Sequence, residues 1–402
     1  MTTLHGIGQG NERRPVTWRT RAAALIGAVA LLVPLAVLGS AGAATATTTV
    51  YTVTDTIPTG SSPYGVAVNK TTNTIYVTNA GGNTVSVIDG ATKAVTTVTV
   101  GSNPFGVAVN ETTNTIYVAN FNDATVSVID GATNAVTNTV TVGSSPFGVT
   151  VNETTNTVYV TNNNNNNGTV SVIDGATTTV TNTVTVGSFP RGVAVNETTN
   201  TIYVANTGGG TVSVIDGATT TVTNTVTVGS QPFGIAANNT TNTIYVTSVY
   251  DGTVSVIDGA TTTVTNTVTV GSSPLGVAVN NTTNTIYVTN FGHSTVSVID
   301  GATTTVTNTV TVGRGPYGVA VNETTYTAYV ANSRDSTVSV IALPATTPGA
   351  PTLAYTGSEL QLPLGLAGLL LIAGLVVFGS ARVCRRTQQQ ARPPASRMRT
   401  GR

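Results

Sequence analysis

The sequence predicts an all-β protein: a seven-bladed β-propeller closed by its own N-terminal strand, with a signal peptide before it and a transmembrane helix after it. The first observation is a Pro-x-Gly unit that recurs at spacings of 41 to 44 residues, with prolines at Pro63, Pro104, Pro146, Pro190, Pro232, Pro274 and Pro316. The second is that each repeat holds short β-branched runs separated by polar turns, with no helical periodicity. A period of this length with several short strands is typical of propeller blades.

Residues 1–44 resemble a secretory signal peptide. Four arginines lie among the first 21 residues, the apolar stretch AAALIGAVALLVPLAVLG follows, and Ala41-Gly42-Ala43 supplies small residues at the spacing of a cleavage site. We therefore expect export of the chain. A retained N-terminal membrane anchor is the alternative.

The second repeat shows the four strands expected of each blade in residues 45–342. Gly106–Val109 ends at a polar turn, Ile116–Val118 alternates its two faces, and Thr125–Ile129 stops at an Asp-Gly turn. Val136–Val142 places valines on one face and threonines on the other. We expect the first strand, which is rich in alanine, to lie where the blades crowd around a central axis.

Strand counting predicts how the ring closes. The last repeat runs into residues 342–344 without a fourth strand, whereas a surplus strand of the same character, Val50–Ile57, precedes the first repeat. We expect this strand to pair with Thr337–Ile341, which removes two exposed sheet edges. An open solenoid is the alternative, and it has no use for the surplus strand.

Each repeat also carries Tyr-Val-(Thr/Ala)-(Asn/Ser), from YVTN at 76–79 to YVAN at 329–332. On this motif, residues from about 50 to 341 resemble the YVTN family of β-propeller repeats. The resemblance implies the propeller fold and carries little information about activity. Seven-bladed relatives of this family include lactonase-like hydrolases and cofactor-bearing oxidoreductases.

Two of the four connections in each repeat barely change, namely the NETTNT-type turn and the IDGAT turn, whereas the other two vary. In a four-stranded meander the constant turns share one face and the variable loops share the other, so the variable face is the candidate binding face. Candidate ligand-binding residues that follow a proline are Tyr64, Phe105, Phe147, Arg191, Phe233, Leu275 and Tyr317, and those in the loops after YVxN are Phe121, Tyr250, Phe291 and His293. Alternatively, the residues after proline plug gaps between blades, although a charged Arg191 is unexpected in a buried plug.

Charge and composition exclude several classes of function. Residues 45–342 hold five basic and fourteen acidic residues, a net charge of −9 without a basic patch, which argues against nucleic-acid binding. His293 is the single histidine of this region, and the Asp-Gly turns each offer one carboxylate where calcium needs about six to eight oxygens. We therefore predict no catalytic residues, no metal and no cofactor.

The C-terminal end predicts covalent attachment to a cell wall. After a linker at 343–352, residues Leu353, Ala354, Tyr355, Thr356 and Gly357 resemble the LPxTG sorting signal of Gram-positive surface proteins, with alanine in place of proline as in the LAxTG variant. An apolar segment at 358–379 and a basic tail at 380–402 follow, as expected of a membrane span with a cytoplasmic flank. The resemblance implies that a sortase thiolate attacks the Thr356 carbonyl and transfers the chain to a peptidoglycan amine. A permanent membrane anchor is the alternative.

Together these features favour a non-enzymatic module at the surface of a Gram-positive cell that binds or adheres to a protein or glycan through its variable face. A structural wall component without a specific ligand is one alternative. A propeller enzyme of lactonase-like type is the other.

Overall fold

A computed structural model describes residues 51–164 and 168–343, and within them every regular element is a β-strand. No helix able to cross a membrane occurs among these residues. The predicted signal peptide, linker, sorting motif, transmembrane segment and tail lie outside the described residues. The strands are β1 (Thr52–Pro58), β2 (Pro63–Asn69), β3 (Thr74–Asn79), β4 (Thr84–Asp89), β5 (Val95–Thr99), β6 (Pro104–Asn110), β7 (Thr115–Asn120), β8 (Thr125–Asp130), β9 (Ala135–Thr141), β10 (Pro146–Asn152), β11 (Thr157–Asn162), β12 (Thr169–Asp174), β13 (Thr179–Thr185), β14 (Pro190–Asn196), β15 (Thr201–Asn206), β16 (Thr211–Asp216), β17 (Thr221–Thr227), β18 (Pro232–Asn238), β19 (Thr243–Ser248), β20 (Thr253–Asp258), β21 (Thr263–Thr269), β22 (Pro274–Asn280), β23 (Thr285–Asn290), β24 (Thr295–Asp300), β25 (Thr305–Thr311), β26 (Pro316–Asn322), β27 (Thr327–Asn332) and β28 (Thr337–Ala342).

These strands form seven four-stranded antiparallel sheets, which confirms the seven-bladed propeller. Blades 1 to 6 are β2–β5, β6–β9, β10–β13, β14–β17, β18–β21 and β22–β25, and blade 7 has the order β1-β28-β27-β26. The first strand of every blade contacts the first strands of both neighbouring blades, including β2 with β26, so these strands surround the central axis. The ring is closed.

The N-terminal strand closes the ring as predicted. β1 pairs with β28 in antiparallel register, with Ile57 opposite Val338 and Thr52 opposite Ala342. Ile57 is the buried side chain of β1, at 3% exposure, and it packs into the cluster between blades 7 and 1. The surplus strand therefore supplies the missing outer strand and covers the edge of β28.

The hydrophobic core is divided into layers between neighbouring blades. Between blades 1 and 2, Tyr76 and Val85 of one blade pack against Ile116 and Val118 of the next. The tyrosine of every YVxN motif is at most 1% exposed, namely Tyr76, Tyr117, Tyr159, Tyr203, Tyr245, Tyr287 and Tyr329. The repeated tyrosine is thus the largest side chain in each layer, and its cross-strand partner is small, as with Ala67 opposite Tyr76 in blade 1.

Glycine two residues after each proline allows the innermost strands to approach. A Cβ on Gly106 would lie 2.5 Å from the carbonyl oxygen of Phe147 in the next blade, and a Cβ on Gly318 would lie 2.5 Å from that of Tyr64 across the closing seam. No side chain fits at such a distance. The Pro-x-Gly pattern is therefore a requirement of backbone packing around the axis.

The unequal repeat spacings also have structural causes. In blades 2 to 6 the fourth strand bulges against the third, as between Val172 and Ile173, whereas β5 of blade 1 pairs without a bulge. The missing bulge residue accounts for the shortest spacing, 41 residues. The longest spacing, 44 residues, contains the asparagine-rich loop of blade 3, which begins at Asn162.

A ring of buried asparagines joins the blades. The asparagine that ends the first strand of a blade donates its amide Nδ2 to the asparagine of the next blade's first turn, in the pairs Asn69–Asn114, Asn110–Asn156, Asn152–Asn200, Asn196–Asn242, Asn238–Asn284 and Asn322–Asn73, at 2.7 to 3.0 Å. Between blades 6 and 7, Tyr326 stands where the acceptor asparagine would be. Each buried asparagine that donates also begins an Asn-x-Thr sequence, the acceptor pattern for N-glycosylation. Here we interpret these sequences as structural turn signals.

Candidate functional site

The seven residues that follow the prolines meet at one mouth of the central channel. Their side chains and the seven glycines that follow them line a pocket of about 130 Å³. This group is called the aromatic mouth, and its members are Tyr64, Phe105, Phe147, Arg191, Phe233, Leu275 and Tyr317. The mouth lies on the variable face, because each member directly follows a variable loop.

The members of the aromatic mouth pack on one another. Ring centroids lie 4.9 Å apart for Phe105 and Phe147, and 5.6 Å apart for Phe147 and Phe233. Phe147, Phe233 and Leu275 are 7–8% exposed, whereas Tyr64, Phe105 and Tyr317 are partly exposed. Three side chains therefore fill the channel end, and the others leave surface open. Glycine contacts, not these side chains, occupy the space between neighbouring inner strands.

Arg191 is accommodated by stacking. Its guanidinium carbon lies 5.0 Å from the ring centroid of Phe147 and 4.8 Å from that of Phe233. Its Nε is buried without a hydrogen-bond partner among the described residues. Aromatic faces stabilise a cation without neutralising it, so a positive charge persists at the mouth.

Tyr64 and Tyr317 face each other across the seam between blades 1 and 7, and the Tyr64 hydroxyl donates a hydrogen bond to that of Tyr317. Burial raises the pKa of Tyr317 to about 12. Burial and the neighbouring Tyr317 raise the pKa of Tyr64 well above its usual value, and Arg191 opposes this rise. Both phenols are therefore neutral at physiological pH and act as hydrogen-bonding groups.

A groove of about 440 Å³ leads away from the mouth over the seam between blades 7 and 1. This seam groove has Tyr64, Phe105, Phe291 and Tyr317 as its aromatic floor and Arg334 at its rim. The Arg334 guanidinium carbon lies 4.6 Å from the ring centroid of Phe291. Ser62, Asn103 and Ser333 add polar groups to the rim.

The structure brings some predicted residues together and leaves others apart. Phe121 and Phe291 join the cluster around the mouth, with Phe121 centred 5.1 Å from Phe105. Tyr250 is 73% exposed and is not a member of that cluster. His293 lines a separate cleft, and the described residues around it include no carboxylate.

His293 shares a structural role with three aspartates at the same repeat position. Asp123, Asp251 and Asp335 accept hydrogen bonds at 2.6 Å from the backbone N–H groups of Ser102, Ser230 and Arg314. His293 Nδ1 accepts one from the Ser272 N–H at 3.2 Å. Each of these four side chains therefore holds one variable loop against the other.

Sequence reasoning missed a polar ring at the opposite mouth. The residue after each buried asparagine belongs to it: Lys70, Glu111, Glu153, Glu197, Asn239, Asn281 and Glu323. Lys70 Nζ lies 3.5 Å from Glu111 and 3.9 Å from Glu323. Burial raises the pKa of Glu197, and the charges of Glu153 and Glu111 add to the rise, while a hydrogen bond from the Glu153 N–H and the charge of Lys70 oppose it. The signal was the variable second position of a turn that is otherwise constant except at Tyr326.

The ring does not form a metal site. Within residues 51–164 and 168–343, no group of three or more His, Cys, Asp or Glu side chains is arranged to hold a metal ion. Its carboxylates are used between blades instead: Glu153 accepts from the Glu111 N–H and Glu197 from the Glu153 N–H, both at 3.1 Å.

The two faces differ in charge. Among the described residues, the constant face carries ten carboxylates and two lysines, whereas the variable face carries three aspartates and three arginines, and Asp55 lies within β1. The described chain also ends on the constant face, where the Leu343 N–H donates to the carbonyl of Tyr326 in a constant turn. The last described residue therefore lies on the acidic face.

Comparisons with known proteins support the fold. No family model matches the sequence, and no curated protein is significantly similar to it. Among solved structures, a chain of Kuenenia stuttgartiensis hydrazine synthase superposes with a TM-score of 0.66 at 20% sequence identity, covering 71% of this chain and 96% of that one. At this identity the likeness shows the propeller fold alone.

Proposed function

We propose that this chain is an exported YVTN-type repeat protein that a sortase attaches through the LAxTG motif to the wall of a Gram-positive cell. Its propeller binds a protein or glycan with the variable face and performs no catalysis. The aromatic mouth and the seam groove carry the proposal, because they gather different side chains on a frame that is otherwise nearly uniform.

The position of residue 343 supports an orientation in which the variable face points away from the cell wall. Residue 343 leaves the propeller on the acidic constant face, and the sorting motif follows it in sequence. Attachment at the C-terminal end would therefore turn the constant face towards the wall and the variable face outwards. A binding face that points outwards is what an adhesion module requires.

The anchoring part is tested by cell fractionation of the full-length chain and its Thr356→Ala variant. The wild-type chain should be released from the wall only by a peptidoglycan hydrolase, while the variant stays in the membrane fraction. Equal distribution of both chains would contradict sortase attachment and favour a permanent membrane anchor.

The binding part is tested on glycan arrays and immobilised matrix proteins. The double variant Phe291→Ala/Arg334→Ala changes the seam groove, and Lys70→Gln changes the opposite mouth as a control. Binding should fall with the first variant and persist with the second. Absence of any ligand for the wild-type chain would favour a structural wall component. Equal binding by all three proteins would contradict the seam groove as the ligand site.

A further inference from the structure

We propose that the ligand of the seam groove is a carboxylate-bearing glycan, with a sugar ring on the aromatic floor and its carboxylate at Arg334. This inference rests on the proposed binding function and names its ligand class.

The arginines of the variable face fall into two classes. Arg314 is paired, with its Nε 2.6 Å from Asp335. Arg191 and Arg334 stack on phenylalanine rings instead, and neither has a carboxylate within 4.0 Å in the described part of the chain. A guanidinium that stacks on a ring is not neutralised by it, and the exposed Arg334 can still offer two N–H groups to a carboxylate.

The groove fits a sugar better than a peptide side chain. Its volume of about 440 Å³ lies within the range of small-molecule sites. A sugar ring offers C–H groups on one face, which suit the floor of Tyr64, Phe105 and Tyr317, and hydroxyl groups at its edge, which suit Ser62 and Asn103. A glutamate side chain would reach the arginine but leave this floor uncovered.

Electrostatics directs such a ligand to one side of the propeller. The ten carboxylates and two lysines of the constant face repel a polyanion, whereas the variable face carries no net charge among the described residues. Complementary charge governs orientation and rate of encounter more than affinity. An acidic polymer would therefore meet the arginine-bearing face.

The test uses the purified full-length chain and two probes with the same sugar backbone, one charged and one neutral: an oligogalacturonate and its fully methyl-esterified form. The acid form should bind about tenfold more tightly, as expected for one charge-assisted hydrogen-bond pair, and added salt should reduce the difference. Arg334→Gln should abolish the preference, while Lys93→Gln, which removes one positive charge on the constant face, should preserve it. Unchanged thermal unfolding of both variants would confirm that they fold.

The outcomes separate the two proposals. Equal binding of acid and ester that still depends on Phe291 would overturn the carboxylate assignment and leave variable-face binding standing. Binding of polyglutamate in place of either sugar would identify an acidic protein partner and overturn the glycan. No binding of sugars, polyglutamate or array ligands would overturn both the glycan proposal and the proposal that the variable face binds a ligand.

Discussion

The buried asparagine ring allows the contribution of one hydrogen bond between blades to be measured. Asn110 is fully buried, its Nδ2 donates to Asn156 Oδ1 at 2.9 Å, and its Oδ1 accepts from the Thr113 N–H at 3.1 Å. Asn110→Ala removes both bonds and leaves the Asn156 oxygen without its donor. Each bond contributes about 0.5–1.5 kcal/mol, and water can reach the half-buried Asn156, so we expect a loss of about 1–3 kcal/mol.

Asn280 provides the matched control within the same chain. It is 1% exposed, and its Oδ1 accepts from the Thr283 N–H at 3.0 Å, but Tyr326 stands in the place of the acceptor in the next blade. Asn280→Ala therefore loses the local bond alone, and we expect a loss of about 0.5–1.5 kcal/mol. The difference of about 0.5–1.5 kcal/mol between the variants is the contribution of the bond between blades.

Urea unfolding of the full-length chain, followed by tyrosine fluorescence, measures both losses. The dependence on urea concentration should be the same for both variants, because they expose the same surface on unfolding. Equal free-energy losses for Asn110→Ala and Asn280→Ala would refute the reasoning, since the asparagine pairs would then add nothing to the stability of the ring.

Three further variants, each measured by thermal or urea unfolding, test the closing strand, the packing of the inner strands around the axis, and the polar ring of the constant face. Ile57→Ala should cost about 2–4 kcal/mol because the side chain is buried at the closing seam, while Thr56→Ala on the exposed side of β1 should stay within about 0.5 kcal/mol. Gly106→Ala should cost about 1–3 kcal/mol because its Cβ would lie 2.5 Å from a carbonyl oxygen, whereas Gly82→Ala, with its nearest atom at 3.4 Å, should be neutral. Because Glu197 has a raised pKa in the folded state, its ionisation opposes folding as pH rises from its unfolded pKa through the folded one. Glu197→Gln should therefore raise the melting temperature at neutral pH and lose this advantage below about pH 4, and a gain that is independent of pH would contradict the assignment.

The blade count, the closing strand and the separation of two faces could be predicted because they depend on the chain order of short strands. Seven Pro-x-Gly units at regular spacing define seven blades, and a surplus strand at 50–57 matches a missing one after Ile341. These arguments need only the length and alternation of each segment. The same information places each loop on one face or the other.

The contacts between blades could not be predicted in the same way. The Asn110–Asn156 bond joins residues 46 positions apart, and its meaning appears only when neighbouring repeats are superposed in space. Whether a residue after proline is buried in the channel end or stays partly exposed likewise depends on how far its side chain reaches towards the axis. His293 and Asp123 look like isolated functional groups in sequence because their backbone partners lie 21 residues earlier.

The position of β28 has a mechanical consequence. This strand leads to the chain's exit at residue 343 and lies between β1 and β27, with six residue pairs along each neighbour. A pull on the exit while the variable face is held acts along the strand, so the two flanking ladders are sheared together and do not open one bond at a time. Under such a load the last blade would resist tension on both sides of β28, because the N-terminal strand adds a second ladder to that of β27.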